Sequence, residues 1–331
     1  MFHDLKADKS ILNILIIRRD NIGDLVCTTP LLQALKDQLK VDRLDVVTHA
    51  YVAPVLKGSS FIDALYIYHK LKHGHTSFFK VIVERLRLIS NLRQHHYDYI
   101  LAFDQRALNL TRYLRKTKVL TPIHDWTNGT EVERVWELGQ RLGLKGVPGP
   151  LTLPLHLYDS STDIKKPFTI GIHISARRIK QQYPISAWAK LIQTLHAMDP
   201  KLSFHIFWSP GDAGNPMHPG DDEKANTLKN ALKNLPIQFV STPTLESLME
   251  GLQRCGSMIM SDGGAMHIAA ALNRPIIALF GDSNPKRWRP WGVPFTIMQS
   301  ETGDVKDIEP SKIIDAWLHL KNSISTHKKS I

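Results

Sequence analysis

Cysteine is almost missing from this chain of 331 residues. It has two, Cys27 and Cys255, far apart and without a Cys-x-x-Cys. That scarcity argues against a disulfide framework and against a zinc site. Long apolar runs are missing too: none approaches the ~18 residues that a membrane span needs. The opening residues, Met1 to Lys6, include the acidic Asp4 and lead into no apolar signal core or cleavage site, so a cytoplasmic protein is expected. There is no Gly-x-Gly-x-x-Gly, no Walker lysine motif and no Gly-x-Ser-x-Gly. With no recognised nucleic-acid-binding motif, nucleic acid is not an expected partner. His73-Gly74-His75 and His95-His96 lack a supporting ligand set, and neither a metal nor a cofactor is expected.

What is present is ample apolar material, 43% of the chain, for two cores and, on length alone, two domains. Positive charge is in excess, with a net +11 that is unevenly spread. Residues 69–118 hold eleven Lys and Arg against three acids, Glu84, Asp98 and Asp104. A charge run of this kind is ordinarily a solvated face. An excess so lopsided also suits an anionic partner, either a phosphorylated acceptor or an anionic membrane surface.

Short β-branched runs alternate with helical patterns from end to end. Strands are expected at Ile11–Ile17, Leu44–Thr48, Leu65–Tyr68 and Tyr99–Phe103, with helices at Phe78–Arg93 and Glu131–Leu142. Leu25, Thr28, Leu32, Leu35 and Leu39 recur at spacings of three and four. Pro30 lies inside that pattern, so the helix either kinks there or becomes regular only near Thr29. Residues 158–167 have linker composition. Beyond them the alternation restarts with Phe168–Ile174, Ile185–Met198, Phe204–Trp208, Lys224–Asn234, Ile237–Val240 and Leu245–Arg254, and a last helix is expected at Ser311–Lys321. The pattern predicts an α/β protein of two doubly wound, Rossmann-like domains, 1–157 and 168–331, facing each other across a cleft.

The stretch from Gly256 to Asp282 organises the second half. It reads as strand (Ser257–Met260), turn (Ser261-Asp262-Gly263-Gly264), helix (Ala265–Leu272) and strand (Pro275–Phe280). Asp262 is expected to cap the helix. Gly263 and Gly264 leave its first N–H groups open to an anion, which the helix dipole also favours. His267 falls one turn up on the same face. An isolated Asp-Gly-Gly is more often only a tight turn, and His267 could be an interior histidine. Between two strands of an open α/β sheet, the better reading is a diphosphate cradle. Two further loops fit it. Gly23-Asp24 offers a carboxylate from the first half, as a general base or as no more than a helix cap. His173 to Lys180 offers the Ser175 hydroxyl and the cations Arg177, Arg178 and Lys180, which could also be a solvated loop. The motif at Arg287-Trp288-Arg289-Pro290-Trp291-Gly292 either places aromatics near a ligand or packs its own loop.

Arg19-Asp20-Asn21-Ile22-Gly23-Asp24 with Thr29-Pro30-Leu31-Leu32, and Ser261 to Leu272 with Pro275 to Gly281, together resemble the family 9 glycosyltransferases, the ADP-heptose–lipopolysaccharide heptosyltransferases and their relatives. The similarity runs nearly the length of the chain. It differs at Gly263, where the family often has Thr or Ser, and at Ala176, where a second hydroxyl is often found. The resemblance implies a GT-B fold and metal-independent, inverting transfer of heptose from ADP-heptose. It implies an anionic lipid-linked acceptor of the lipopolysaccharide core, and a place at the inner face of the cytoplasmic membrane, with peripheral contact there. It makes Asp24 the general base, gives Ser175 and Lys180 to the diphosphate, and puts Asp262, Gly264 and His267 along the donor site. A GT-B transferase of another sugar or onto protein, and a non-catalytic nucleotide-sugar-binding protein, are the alternatives.

Overall fold

The computed structural model describes residues 11–69, 78–127, 129–154, 169–214 and 220–327. The apolar runs become two parallel sheets. β1 (Asn13–Ile17), β2 (Arg43–His49), β3 (Ala64–Tyr68), β4 (Tyr99–Ala102) and β5 (Lys118–Leu120) pair in the order β3-β2-β1-β4-β5. β6 (Thr169–His173), β7 (Ser203–Trp208), β8 (Ile237–Ser241), β9 (Ser257–Ser261), β10 (Ile276–Phe280) and β11 (Phe295–Gln299) pair in the order β11-β10-β9-β6-β7-β8. The innermost strands are apolar on both faces because helices cover both: Ile14 to Ile17 and Ile276 to Phe280 are fully buried. Both sheets carry the strand order of dinucleotide-binding sheets. The order reverses between β1 and β4 in one and between β6 and β9 in the other, and ligands bind outside the carboxyl ends of strands at such a reversal.

The helices are α1 (Ile22–Val26), α2 (Thr29–Asp37), α3 (Phe78–Arg93), α4 (Gln105–Thr111) and α5 (Glu131–Arg141) in the first half. The second has α6 (Ile185–Met198), α7 (Asp222–Ala231), α8 (Leu245–Gln253), α9 (Gly264–Ala271), the single turn α10 (Pro285–Trp288) and α11 (Pro310–His327). The period across Pro30 resolves into two helices. α1 ends at Val26, the Thr28 and Thr29 hydroxyls donate to the carbonyls of Asp24 and Val26 at 2.8 Å, and Pro30 sits in the first turn of α2. There its missing N–H has no partner to lose. β5, α4, α10 and β11 were not expected from the sequence; β5 is three residues in a basic stretch and β11 follows a Trp- and Pro-rich loop. α11 is longer than the expected Ser311–Lys321 at both ends. The expected linker at 158–167 lies outside the described residues.

The halves do not touch only at their rims. One buried cluster takes in Leu25, Val26 and Leu32 from the first and Met266, Ile268 and Ala269 from the second, so α1 packs directly on α9. Two glycines allow that approach. A Cβ on Gly23 would lie 2.7 Å from His267 Cδ2, and one on Gly264 would lie 2.8 Å from Ile22 Cβ. The other faces of the sheets have separate cores, Leu88 and Leu92 of α3 over Leu15, Ile17 and Val47 in one, and Trp188 and Leu191 of α6 beside Ile170 and Phe204 in the other.

Candidate active site

Where the two strand-order reversals face each other lies a cleft of about 420 Å³, within the range of small-molecule sites. The loop after β1 supplies Asn21 to Asp24, the loop after β6 supplies Ser175 to Arg178, and the loop after β9 supplies Ser261 to Gly264. Tyr51, Gln181, His267, Ser283 and Trp288 also line it. Asp24, Ser175, Asp262, Gly263, Gly264 and His267 therefore share one cavity, although they come from both ends of the chain.

Asp24 is the third residue of α1 and closes a capping box. Its Oδ2 accepts from the Asn21 N–H at 3.1 Å and from Asn21 Nδ2 at 3.0 Å. Its Oδ1 lies 3.3 Å from Arg18 Nη2. Cap and cleft carboxylate are thus the same group. These contacts still leave lone pairs on its two oxygens, and 12% of the side chain is exposed.

Behind Asp24 lies a buried charge cluster that motif reading missed. Arg18, 1% exposed, reaches Glu131 Oε1 at 2.8 Å and Asp20 Oδ1 at 3.4 Å, and stacks 4.3 Å from the Phe103 ring centre. Glu131, equally buried, also binds Arg134 at 3.0 Å and, from the opposite half, Arg287 at 2.8 Å. Burial alone would lower the Arg18 pKa, but Asp20, Asp24 and Glu131 outweigh it and raise it. Burial pushes Glu131 up, and Arg18, Arg134 and Arg287 together hold it below the usual carboxylate range. Asp20 is pushed up to about 6 by burial, against the pull of Arg18. The available signals were an Arg directly after an apolar strand end, Ile14 to Ile17, and a Glu opening a helix behind Thr130; neither spacing reveals that the two meet.

The donor-side cradle differs in detail from expectation. Asp262 does not cap α9. Gly263 occupies the cap position, without a side-chain hydrogen bond, and Asp262 Oδ2 instead accepts from Gln181 Nε2 at 3.1 Å. Burial raises the Asp262 pKa, with His267, Ser283, Arg178 and Gln181 opposing. The two glycines divide the work. A Cβ on Gly263 would meet nothing within 4 Å, so that position opens the amino end of α9 to the cleft, whereas Gly264 is required by contact with Ile22.

His267 is buried, with Nδ1 3.5 Å from Cys27 Sγ and its ring edge-on to Trp288 at 6.0 Å. Burial lowers its pKa against Asp262, Asp24 and Glu131, favouring a neutral ring. It is both a wall of the cleft and an interior histidine wedged between the halves. Trp288 also lines the cleft, while Trp291 Nε1 donates to the Gly149 carbonyl at 2.9 Å, so the Trp-rich loop both faces the cavity and packs.

The Ser175 hydroxyl accepts from the Ser209 N–H at 2.9 Å, tying the loops after β6 and β7 together at the cleft. Lys180 stands apart. It is 57% exposed, lies 3.7 Å from Asp282 Oδ2, and is not among the residues lining the cleft. The turn that carries it (Ile179–Gln181) directs Gln181 inward instead. The cations on the cavity wall are Arg177, whose Nη1 donates to Asn21 Oδ1 across the halves at 3.4 Å, and Arg178, 2.6 Å from Asp282. Among the described residues no three His, Cys, Asp or Glu side chains gather as a metal-binding group, and no helix is long and apolar enough to cross a membrane. Of the basic segment, Lys70, Lys72 and His73 to His75 lie outside the described residues, and Arg85 turns onto the Tyr68 ring at 5.0 Å rather than outward.

The family model described as glycosyltransferase family 9 (heptosyltransferase) matches residues 148–318. A lipopolysaccharide heptosyltransferase 3 of Escherichia coli is 24% identical over 318 residues, spanning 86% of this chain and 88% of the relative. Among solved structures, a glycosyl transferase family 9 protein of Veillonella parvula superposes with a TM-score of 0.75 at 17% identity, covering 94% of this chain and 97% of that one. The E. coli heptosyltransferase WaaC with ADP also gives 0.75, at 15% identity, covering 93% of this chain and 100% of that one.

Proposed function

This chain belongs to glycosyltransferase family 9, the heptosyltransferases, and on that premise we propose that it transfers heptose from ADP-heptose to an anionic, lipid-linked acceptor of the lipopolysaccharide core. Its two Rossmann-like sheets facing a cleft are the GT-B arrangement. In this reading residues 1–157 form the acceptor side and 168–331 the nucleotide-sugar side. The observation that carries it is the meeting, in one cavity, of Asp24 from the first half with the open amino end of α9 from the second.

The reaction then runs as one displacement. Asp24 takes the proton of the acceptor hydroxyl as its oxygen bonds to the anomeric carbon, and the carbon–oxygen bond to the diphosphate breaks on the opposite side, which inverts that carbon. ADP departs with the bonding electrons. Its charge is met by the free N–H groups of α9 at Gly263, by the Ser175 hydroxyl, and by Arg177 and Arg178, with Lys180 at the rim. Asp262 and His267 shape the floor, and Gly264 keeps α9 against the half that carries the base. With fixed cations at the leaving group, transfer proceeds without a metal. The protein works at the inner face of the cytoplasmic membrane, its basic half toward the acceptor.

The test is ADP release from ADP-heptose in the presence of lipopolysaccharide core lacking heptose, with and without EDTA. Metal-resistant turnover with ADP-heptose, and none with UDP- or GDP-sugars, is expected. Turnover only with another nucleotide sugar would replace the donor. Loss in EDTA restored by Mg²⁺ would overturn metal independence.

A further inference from the structure

α3 carries two stripes. Val81, Leu88 and Leu92 are buried, the last two against Leu15, Ile17 and Val47 of the sheet. On the opposite side Phe79, Val83 and Leu86 are 76%, 43% and 61% exposed. At about 3.6 residues per turn these three fall within an arc of ~60°. They form one apolar ridge pointing away from the core. Exposed cations border it on both flanks, Lys80 and Arg87 on one and Arg93 on the other. The only acid of the helix, Glu84, lies 3.7 Å from His69. Arg93 Nε donates to the Tyr113 carbonyl at 2.7 Å, so the ridge continues toward a second exposed group: Tyr113, 58% exposed, among exposed Arg112, Arg115 and Lys116.

A solvated charged face does not require three large apolar residues in line. A contact with an anionic protein through charge alone does not require them either. An apolar ridge between rows of cations matches one kind of partner, an interface with hydrocarbon beneath a layer of negative headgroups. We propose that α3, with the Tyr113 loop beside it, is the element by which this protein docks on an anionic phospholipid bilayer. Phe79, Val83 and Leu86 enter the headgroup region while Lys80, Arg87, Arg93 and Arg112 stay at phosphate level. The proposal deepens the reading of the acceptor as membrane-anchored, since it names the surface that brings the cleft to the bilayer. It can be tested with no acceptor present.

The experiment is cosedimentation of the full chain with phosphatidylglycerol-containing vesicles and with pure phosphatidylcholine vesicles. The wild type, Phe79→Glu/Leu86→Glu and Lys80→Glu/Arg87→Glu are compared, each checked for folding by circular dichroism and for ADP binding by calorimetry. The wild type should prefer anionic vesicles. The apolar double variant should lose at least ~tenfold in partitioning, since two side chains no longer leave water. Raising salt to ~1 M, where screening shortens to ~3 Å, should weaken wild-type binding without abolishing it. Equal binding by the wild type and the apolar variant would overturn the proposal, as would complete loss in salt. A wild type that ignores vesicles but is a dimer that Phe79→Glu/Leu86→Glu makes monomeric would overturn it in favour of a second copy. None of these results alters the transfer reading, which stands or falls on ADP release.

Discussion

The two halves share one strand order and use it for opposite chemistry. The first brings buried charge to its strand-order reversal, with Arg18, Asp20, Asp24 and Glu131 held together behind the cleft wall. The second brings backbone: an unblocked helix end at Gly263, with the nearby pairs of Arg178 and Lys180 to Asp282 partly exposed. In the proposed transfer the proton acceptor must be held against its neighbours, whereas a departing diphosphate needs donors that it can approach. The same architecture therefore tolerates a dense ionic core on one side and demands an absence of side chains on the other. The second half lends the first an ion-pair partner, Arg287 on Glu131.

The largest effect expected from breaking this contrast is on turnover. Asp24→Asn should lower the transfer rate by ~10²–10⁴-fold, the range for a lost general base, while ADP affinity measured by calorimetry stays near wild type. Near-normal turnover would leave Asp24 only its capping role. Next comes the charge cluster. Glu131→Ala takes from buried Arg18 its shortest ion pair, leaving Asp20 and Asp24, and takes the carboxylate from Arg134. Breaking a buried pair typically costs ~3–5 kcal/mol, readable by chemical denaturation, and an unchanged midpoint would mean that water enters and solvates them. Smaller is the contrast between adjacent glycines. Gly264→Ala forces a Cβ against Ile22 and should cost ~1–3 kcal/mol. Gly263→Ala, in open space, should change stability by less than ~0.5 kcal/mol yet weaken ADP binding. Equal stability losses at both positions would mean that Gly263 is packed as Gly264 is, not open to a ligand. Smallest is the pair of cations. Arg178→Ala should weaken ADP more than adenosine by roughly tenfold, and Lys180→Ala, at the rim, by less. The reverse order would put Lys180 on the diphosphate.

Much of this was legible in the residues, unevenly. Apolar runs with turn residues at their ends marked most strands and helices, since a strand buried on both faces leaves little choice of composition. The Gly263 and Asp24 loops were singled out because each follows an apolar strand and opens a helix, where open α/β sheets bind ligands. The capping role given to Asp262 failed because Gln181, 81 positions away in the chain, competes for its carboxylate. Lys180 was put on the diphosphate by family resemblance, but a single tight turn decides which of its residues face inward. Arg18 and Glu131, 113 positions apart, carry no shared periodicity or motif. Their pairing exists only once β1 and α5 are packed. The direction of Arg85 was hidden for the same reason: one row of cations reads alike whether it points to solvent or onto Tyr68.

The fit of Gly23 against the His267 ring binds two distant codons into one unit of change. Any larger residue at 23 needs a smaller or tilted one at 267, and a shortened ring at 267 opens a gap that a side chain at 23 would fill. Among relatives these positions should therefore be exchanged as a pair. A chimera that joins the first half of one such protein to the second half of another should work only where the donor parents agree at both.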